Sequence, residues 1–254
     1  MNVLHRVLLA AALSTLMYEA TFGDGIINGK KAKKNTFQFM ASVQFNGKHV
    51  CGGFLIDSRF VLTAAHCCDK RENITVVLGT HTISGNNGER YAVKNKFKPL
   101  SYKNSKSGDD IILLKLSKKV NLRKGAKTIK MSRKDKVQPK TKCQVAGWGK
   151  TETQNTVSDL LVTDVVIVPF KDCQNEWNSV RTRLPDKVLC ASGYDTKSGA
   201  CQGDSGGPLV CKGEAVGIVS FNMNGNCNYP NVPNVYTQIS KFRSWIKKQM
   251  KKSA

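Results

Sequence analysis

The feature that most constrains the fold is a series of short apolar or alternating segments separated by turn residues. They lie at 39–45, 50–56, 60–63, 74–78, 111–116, 143–147, 160–168, 188–191, 208–211, 215–220 and 234–238. These lengths are typical of strands, and helical periodicity is almost absent from this part of the chain. The pattern predicts an all-β fold of the barrel type. With 254 residues, the chain has room for one large domain or two small ones.

The first 23 residues have the pattern of a secretory signal peptide. His5 and Arg6 precede an apolar run over 7–17, and small and polar residues follow. This run is too short to span a membrane, and no other long apolar run follows, so we expect a secreted chain without a transmembrane segment. Cleavage after residue 23 would leave the dipeptide Asp24-Gly25 before Ile26, whereas cleavage after Ala20 would leave five residues.

Nine cysteines in a secreted chain indicate a disulfide framework with one cysteine left over. Their spacing alone leaves the connectivity open. A zinc site at Cys51, His66 and Cys67 is the rival interpretation, which an oxidising compartment disfavours. We expect no metal and no cofactor.

The chain is strongly basic, with 40 lysines and arginines against 18 acids and a net charge of +22. Removing residues 1–25 takes away one arginine and two acids, so the charge rises to +23. The segment 115–142 holds 12 of the basic residues and the single acid Asp135. This charge predicts salt-sensitive binding to polyanions such as granule proteoglycan or heparin-like chains. Specific nucleic-acid binding is not expected, because the basic residues are not interleaved with aromatic ones.

A candidate nucleophile is Ser205, which has glycines two positions before it and one and two positions after it. Such a backbone can turn sharply and let a substrate approach closely. A serine hydroxyl is a poor nucleophile, so it needs a base, a group that orients this base and donors for an oxyanion. His66 and Asp110, each beside an apolar run, are candidates for the first two roles.

Five motifs carry a resemblance to a known family. They are IING at 26–29, TAAHC at 63–67, DIILL at 110–114, GWG at 147–149 and GDSGGP at 203–208. From residue 26 to its end the chain resembles the chymotrypsin-like serine proteases, and within them the granzymes of cytotoxic lymphocyte granules. The resemblance implies two six-stranded antiparallel Greek-key barrels with the active site in the cleft between them. The first barrel is expected at about 26–125, a connector at about 117–142 and the second barrel at about 140–239.

The resemblance also implies a catalytic triad. Ser205 would attack a peptide carbonyl, His66 would act as the base, and Asp110 would accept the Nδ1 proton of His66. The neighbouring Asp109 is expected to be solvated. Ser220 would donate a second hydrogen bond to Asp110.

Activation and oxyanion stabilisation are implied by residues next to the nucleophile. Cleavage before Ile26 would free an ammonium group that turns inward and pairs with Asp204. A buried carboxylate needs such a partner to offset its desolvation. The pairing would align the amides of Gly203 and Ser205 as an oxyanion hole. Because residue 25 is a glycine, a trypsin-like activator is not indicated, and removal of a short pro-dipeptide at 24–25 fits better.

The disulfide pairing is likewise an implication of the resemblance. The implied pairs are Cys51 with Cys67, Cys143 with Cys211, Cys173 with Cys190, and Cys201 with Cys227. Cys68 is then without a partner, and we leave open whether it is buried and inert, reactive, or linked to a second chain. The dimer-forming cysteine of one granzyme has no counterpart in 97–102, so we expect a monomer.

The specificity pocket is where the chain departs from its nearest relatives. The candidate substrate-binding residues are Gly199, Ala200, Ser220, Phe221, Asn222 and Asn234. Gly199 stands where trypsin-like members carry an aspartate that binds lysine or arginine. Asn222 and Asn234 match wall positions that are glycine in an open pocket, and an uncharged pocket narrowed by two amides predicts cleavage after small or medium neutral residues. If both amides point to solvent instead, the pocket would be a deep neutral slot.

The segment 240–252 is the exception to the β pattern and predicts a C-terminal helix. Ser240 would cap it, and lysines would occupy its last turns. One face carries Phe242, Trp245, Ile246 and Gln249 or Met250. This narrow stripe favours docking against the second barrel over membrane binding.

Three further features complete the predictions. Asn73 begins the only glycosylation sequon, which the secretory route makes usable. His49 and His81 are interpreted as structural, because nothing couples them to the nucleophile. The loop 78–90, which binds calcium in some members, has Glu89 as its only acid.

The sequence thus predicts a secreted or granule-stored serine endopeptidase acting on protein or peptide substrates. The alternative is a cationic heparin-binding or antimicrobial homologue that acts by binding alone. Known homologues of that kind have lost the histidine or the serine, and this chain keeps both. Among enzymes, the nearest rival to a granzyme is a digestive or mast-cell-type secreted protease.

Overall fold

The computed structural model describes residues 26–191, 198–225, 227 and 232–253. The predicted signal peptide at 1–23 and propeptide at 24–25 lie outside the described residues. Within the described part, no helix is long and apolar enough to span a membrane.

The first barrel is a closed antiparallel sheet of six strands. Its strands are β2 (Met40–Phe45), β3 (Lys48–Asp57), β4 (Phe60–Thr63), β5 (Ile74–Leu78), β6 (Glu89–Phe97) and β7 (Ile112–Leu116). The hydrogen-bonded order is β2-β3-β4-β7-β6-β5, and pairing of β5 with β2 closes the ring. The side chains of β4 and β7 are all buried, which explains their continuous apolar runs.

The second barrel also closes with six strands. They are β9 (Lys142–Gly147), β10 (Leu161–Val168), β11 (Val188–Ala191), β12 (Pro208–Cys211), β13 (Glu214–Phe221) and β14 (Asn234–Gln238). The order is β10-β11-β14-β13-β12-β9, and β9 pairs with β10 to complete the barrel. The predicted all-β fold with two six-stranded antiparallel barrels is therefore confirmed.

Two short strands lie outside the barrel rings. Strand β1 (Lys30–Lys31) pairs with β10, and β8 (Lys130–Met131) in the connector pairs in parallel with β13. The predicted first barrel at 26–125 therefore begins too early, because Ile26 packs in the core of the second barrel. The cause is physical: the apolar Ile26 and Ile27 find their buried contacts beside residues far along the chain.

Within the residues that the structure describes, three α-helices accompany the barrels: α1 (Ala65–Cys68), α2 (Phe170–Ser179) and α3 (Arg243–Lys252). The predicted helix at 240–252 starts three residues too early, because Ile239–Phe242 form a 3-10 turn and the Ser240 side chain does not cap α3. The expected docking against the second barrel is incomplete. Ile246 lies in one cluster with the first-barrel core and with Val210, Ala215 and Ile218 of the second barrel, and the Lys115 ammonium of β7 donates a hydrogen bond to the Ser253 carbonyl.

Four disulfides fasten the two barrels internally. They join Cys51 to Cys67, Cys143 to Cys211, Cys173 to Cys190, and Cys201 to Cys227, which are the pairs that the resemblance implies. The first one ties strand β3 to helix α1, and the last one ties the loop that precedes Ser205 to the loop after β13. Each closed loop restricts the unfolded chain and typically contributes about 2–4 kcal/mol.

Candidate active site

His66 and Asp110 are held together at the edge of the first barrel. His66 lies in α1, directly after β4, and Asp110 precedes β7, the strand that pairs with β4. The backbone N–H of His66 donates to Asp110 Oδ1 at 3.0 Å, and the ring Nδ1 lies 2.8 Å from Oδ2. Because a carboxylate can only accept, Nδ1 carries the proton and Nε2 is left as the basic nitrogen.

The second barrel completes the surroundings of Asp110. Ser220 in β13 donates its hydroxyl to Asp110 Oδ2 at 2.6 Å, and Thr237 in β14 donates to the backbone carbonyl of Asp110 at 2.9 Å. The Asp110 side chain is only 1% exposed, whereas that of His66 is 30% exposed. The acid is thus fixed between both barrels while the imidazole still reaches the cleft.

The loop carrying Ser205 lies against the first barrel. Gly206 has φ +83°, and a Cβ there would come within 2.0 Å of the Thr63 hydroxyl and 2.6 Å of the Gly52 carbonyl. Cys67 directly follows His66, and its sulfur lies 3.6 Å from the Ser205 carbonyl. Glycine at 206 is therefore required for the close approach that brings the serine loop beside α1.

Asp204 is buried next to the nucleophile. Its carboxylate accepts hydrogen bonds from the backbone N–H groups of Cys201 at 2.9 Å and Gly149 at 2.8 Å. Burial raises its pKa to about 7, against the lowering effect of these two donors. A Cβ at Gly147 would lie 2.0 Å from Oδ1, so the GWG motif leaves the space that this carboxylate fills. Ile26, fully buried, packs in the core of the same barrel.

His49 supports the turn at Gly203 from the first barrel. Its Nε2 donates to the Gly203 carbonyl at 3.0 Å, and its Nδ1 lies 2.8 Å from the Ser42 hydroxyl. Burial lowers its pKa to about 4, so the ring is neutral at physiological pH. The structure thus gives His49 a structural contact beside the candidate oxyanion hole.

A cavity of about 260 Å³ opens beside Ser205. Of the predicted substrate-binding residues, it is lined by Ala200, Ser220, Phe221, Asn222 and Asn234. Gly199 is not part of the lining, and its N–H donates instead to the Ile27 carbonyl at 3.3 Å. The predicted pocket is therefore one contiguous cavity next to the nucleophile, with Gly199 behind it.

The two asparagines differ in their surroundings. Asn234 is 2% exposed, and its amide donates to the Ala200 carbonyl at 3.1 Å. The Asn222 amide donates toward the Cys227 sulfur at 3.4 Å, and its oxygen accepts from the Gly225 N–H at 3.1 Å. Both amides are thus held by hydrogen bonds within the protein, with Asn234 buried and Asn222 half-buried.

Several lining residues escaped the sequence interpretation. They are Lys106, Gln202, Val219, Asn224 and Gly225. Gln202 directly follows Cys201, and its amide donates to the Gly225 carbonyl at 2.7 Å, across the cavity from the nucleophile loop. Lys106 comes from the other barrel and has no motif around it. Its position four residues before Asp110 is the sequence feature that could have indicated it.

The expectation that Asp109 is solvated is wrong. Its side chain is 15% exposed, lies 2.9 Å from the Lys187 ammonium and accepts a hydrogen bond from the Ser101 hydroxyl.

The cysteine without a disulfide partner, Cys68, is buried, and burial raises its pKa to about 11, so its thiol stays protonated at neutral pH. The sulfurs of Cys51 and Cys67 are joined in a disulfide, and so cannot supply thiolates to a zinc ion beside His66.

Comparison with known proteins places this geometry in a family. The Trypsin family profile matches residues 26–246. The chain belongs to the trypsin family of serine proteases. It is 36% identical to human kallikrein-7, covering 97% of this chain and 95% of the relative, and 37% identical to rat granzyme B, covering 97% and 99%. Mouse neuropsin, a serine protease of known structure, matches with a TM-score of 0.79 and 30% identity over 89% of this chain and 100% of its own.

Proposed function

We propose that this trypsin-family protease cleaves peptide bonds through Ser205, His66 and Asp110. The observation that carries the proposal is the pair of hydrogen bonds from His66 to the buried Asp110. Asp110 also accepts from Ser220, which lines the cavity together with Ser205. These contacts hold the imidazole in the tautomer that can take a proton from a serine hydroxyl.

The proposed reaction is acyl transfer in two halves. Ser205 attacks the substrate carbonyl as His66 Nε2 takes its proton, and the imidazolium is stabilised by Asp110. The N–H groups of Gly203 and Ser205 stabilise the oxyanion. His66 gives the proton to the leaving amine. A water then attacks the acyl group as His66 takes the water's proton, and His66 returns this proton to the Ser205 oxygen as the acid product leaves.

Activation by cleavage before Ile26 is part of the proposal. Asp204 is fully buried, and the two N–H donors do not neutralise its charge. An ammonium group freed at Ile26, whose side chain already packs in the second-barrel core, would supply the missing positive charge. The pair would then fix the loop from Gly203 to Ser205 in its catalytic arrangement.

The proposed preference is for small or medium neutral residues before the scissile bond. Asn222 and Asn234 narrow the cavity, and no acid lines it among the described residues, so a lysine or arginine side chain would find no partner there. A large apolar side chain would find less room beside the two amides, which are held by hydrogen bonds to Ala200, Cys227 and Gly225.

We further propose that the chain is secreted or stored in a secretory granule, as a granzyme-like enzyme. The likeness to rat granzyme B and the signal pattern at 1–23 support this assignment. Asn73 is exposed at the start of β5, so its sequon is accessible to glycosylation.

Cleavage of a mixed peptide library by protein that begins at Ile26 tests the enzymatic proposal, with Ser205→Ala as the control. Cleavage after neutral residues that vanishes in the control supports both the triad and the pocket. Cleavage after lysine or arginine would overturn the pocket assignment. Absence of cleavage by correctly folded, processed protein would favour the binding function described next.

Polyanion binding is a second proposed function, and the connector carries it. Of the 12 basic residues in 115–142, all except Lys115 are exposed, so their charges face solvent together. Replacing Arg123, Lys124 and Lys127 with glutamine should lower the salt concentration that elutes the protein from heparin. The matched control replaces Lys30, Lys33 and Lys34, which are exposed but lie outside the connector. Equal shifts for both triple variants would show that net charge alone determines binding.

A further inference from the structure

A single cation of the first barrel lies at the mouth of the cavity. Lys106 belongs to the 3-10 turn Ser105–Ser107, and it lines the cavity together with Ser205 and the pocket residues of the second barrel. The other lining residues in the part of the chain that the structure describes are neutral. Lys106 is therefore the charged side chain that these residues offer to a ligand in the cavity.

Nearby acids do not neutralise Lys106. Asp109 is engaged by Lys187 at 2.9 Å and by the Ser101 hydroxyl, and the buried Asp110 is engaged by His66 and Ser220. Among the described residues, no carboxylate lies within ion-pair distance of the Lys106 ammonium. Its positive charge is thus available to a ligand in the cleft.

The backbone that presents Lys106 is held in place at both ends. The Asn104 side chain accepts from the Ser107 N–H at 3.0 Å and so closes the turn. After the turn, the ion pair of Asp109 with Lys187 ties this loop to the segment just before β11 of the second barrel. A fixed backbone limits the positions that the lysine ammonium can occupy.

The turn Ser105–Ser107 also lies against β13. We expect the end of β13, from Ser220, to pair with the substrate backbone, as an extended peptide pairs with a sheet edge. A substrate bound along the end of β13 would pass beside the turn. Its residues before the scissile bond would thus pass Lys106.

We propose that Lys106 is a specificity-determining residue that favours an acidic side chain in the substrate, at a position shortly before the residue held in the pocket. This inference rests on the proposed endopeptidase function and extends it to the substrate class. Lys106 would contact the substrate by charge and take no part in the chemistry.

The test uses protein that begins at Ile26 and peptides that differ only by glutamate or glutamine. The exchange is made at each of three positions before the pocket residue and two positions after the scissile bond. We expect kcat/KM to favour glutamate by about three- to tenfold at one of the preceding positions, in keeping with an exposed charge pair. The ratio should fall toward one between about 50 mM and about 500 mM NaCl.

Variants at two lysines of the same loop assign the effect. Lys106→Gln should bring the glutamate-to-glutamine ratio to about one, and Lys106→Glu should bring it below one. Lys103→Gln, an exposed neighbour outside the cavity lining, should leave the ratio as it is. A wild-type ratio of one at every preceding position, or a ratio that Lys106→Gln leaves unchanged, would overturn the inference.

Binding separates this inference from the proposed activity. Ser205→Ala protein should bind the glutamate peptide more tightly than its glutamine twin, as measured by fluorescence anisotropy. If no peptide is cleaved but this difference is present and lost with Lys106→Gln, the catalytic proposal fails and the charge selection stands. Equal affinity for both peptides would overturn the inference whether or not the enzyme turns over.

Discussion

The two buried carboxylates on either side of the cleft, Asp110 and Asp204, have opposite surroundings. Both are fully buried as residues. Asp110 accepts hydrogen bonds from the His66 backbone, the His66 ring and the Ser220 hydroxyl, all provided by the folded chain. Asp204 accepts from two backbone N–H groups, and burial raises its pKa to about 7.

The difference in partners indicates that folding alone completes the site around Asp110, whereas the site around Asp204 needs a further step. The site around Asp110 is complete once the two barrels have met, because its partners are side chains and amides of both. The site around Asp204 has the shape for a carboxylate, given by Gly147 and Gly149, but the charge is not balanced by the residues that contact it. In our account the missing charge is the ammonium group of a newly cut chain.

The largest loss of turnover should come from replacing Asp110 or Ser205. In protein that begins at Ile26, Asp110→Asn or Ser205→Ala should lower turnover on the order of 10⁴-fold, since an asparagine favours the wrong tautomer of His66. Steady-state cleavage of a neutral peptide measures this loss. Asp109→Asn is the matched control, because Asp109 contacts Lys187 instead of His66, and it should stay within about threefold of wild type. Comparable losses for both aspartates would contradict the assignment.

The next largest loss of activity should come from replacing Asp204. Asp204→Asn in protein that begins at Ile26 keeps the shape but removes the partner for the ammonium group, and loss of one member of a buried pair costs about 3–5 kcal/mol. We expect kcat/KM to fall on the order of 10²- to 10³-fold with an unchanged far-UV circular dichroism spectrum. A variant as active as wild type would mean that the serine loop needs no charge pair.

The chain that begins at Ile26 and the chain that keeps earlier residues should differ in how their stability depends on pH. In a chain that retains residues before Ile26, folded Asp204 keeps its proton up to about pH 7, whereas the unfolded carboxyl releases it near 3.8. The folded state then binds more protons over this window, so its stability falls as the pH rises. Pairing with the ammonium group removes this fall. Urea titrations should therefore show the processed chain gaining on the order of 4 kcal/mol over the extended chain between pH 4 and pH 8. A gap that does not change with pH would contradict the role of Asp204.

The smallest effect concerns His49, which contacts the Gly203 carbonyl beside Asp204. Its pKa is lowered from 6.5 to about 4, so the unfolded ring takes up a proton as the pH falls through 6.5 while the folded ring does not. This contribution to stability is present above pH 6.5 and is lost as the pH falls toward 4. His49→Gln should flatten the fall in melting temperature over that range by a few degrees, about 1 kcal/mol. An unchanged slope would show that His49 titrates normally in the folded protein.

Much of the fold followed from the sequence because buried strands are marked by their apolar side chains. Strands β4, β5, β11, β12 and β14 have the predicted bounds. Strand β6 was missed, since it pairs through its backbone while Tyr91 is its only buried residue and four of its five exposed residues are polar or charged. Helix α2 was missed because only Cys173 and Trp177 anchor it, too few for a periodic pattern.

The candidate site was predictable where residues lie in motifs and not where it depends on the fold alone. The glycines and the three candidate catalytic residues are marked by their neighbours in the chain. Lys106 reaches the cavity through the meeting of loops that are far apart in sequence. The inter-barrel ion pair of Asp109 and Lys187 is likewise invisible to local pattern, which is why Asp109 was expected in solvent.

The most direct test of the account compares one peptide substrate across two chains, one that begins at Ile26 and one that keeps Gly25 before it. The single added residue moves the ammonium group away from Asp204 and leaves every residue from Ile26 onward the same. We predict at least about 100-fold higher kcat/KM for the chain that begins at Ile26, as the loss of a buried ion pair requires. Equal kcat/KM for the two chains would contradict the claim that the Asp204 region waits for a new chain end.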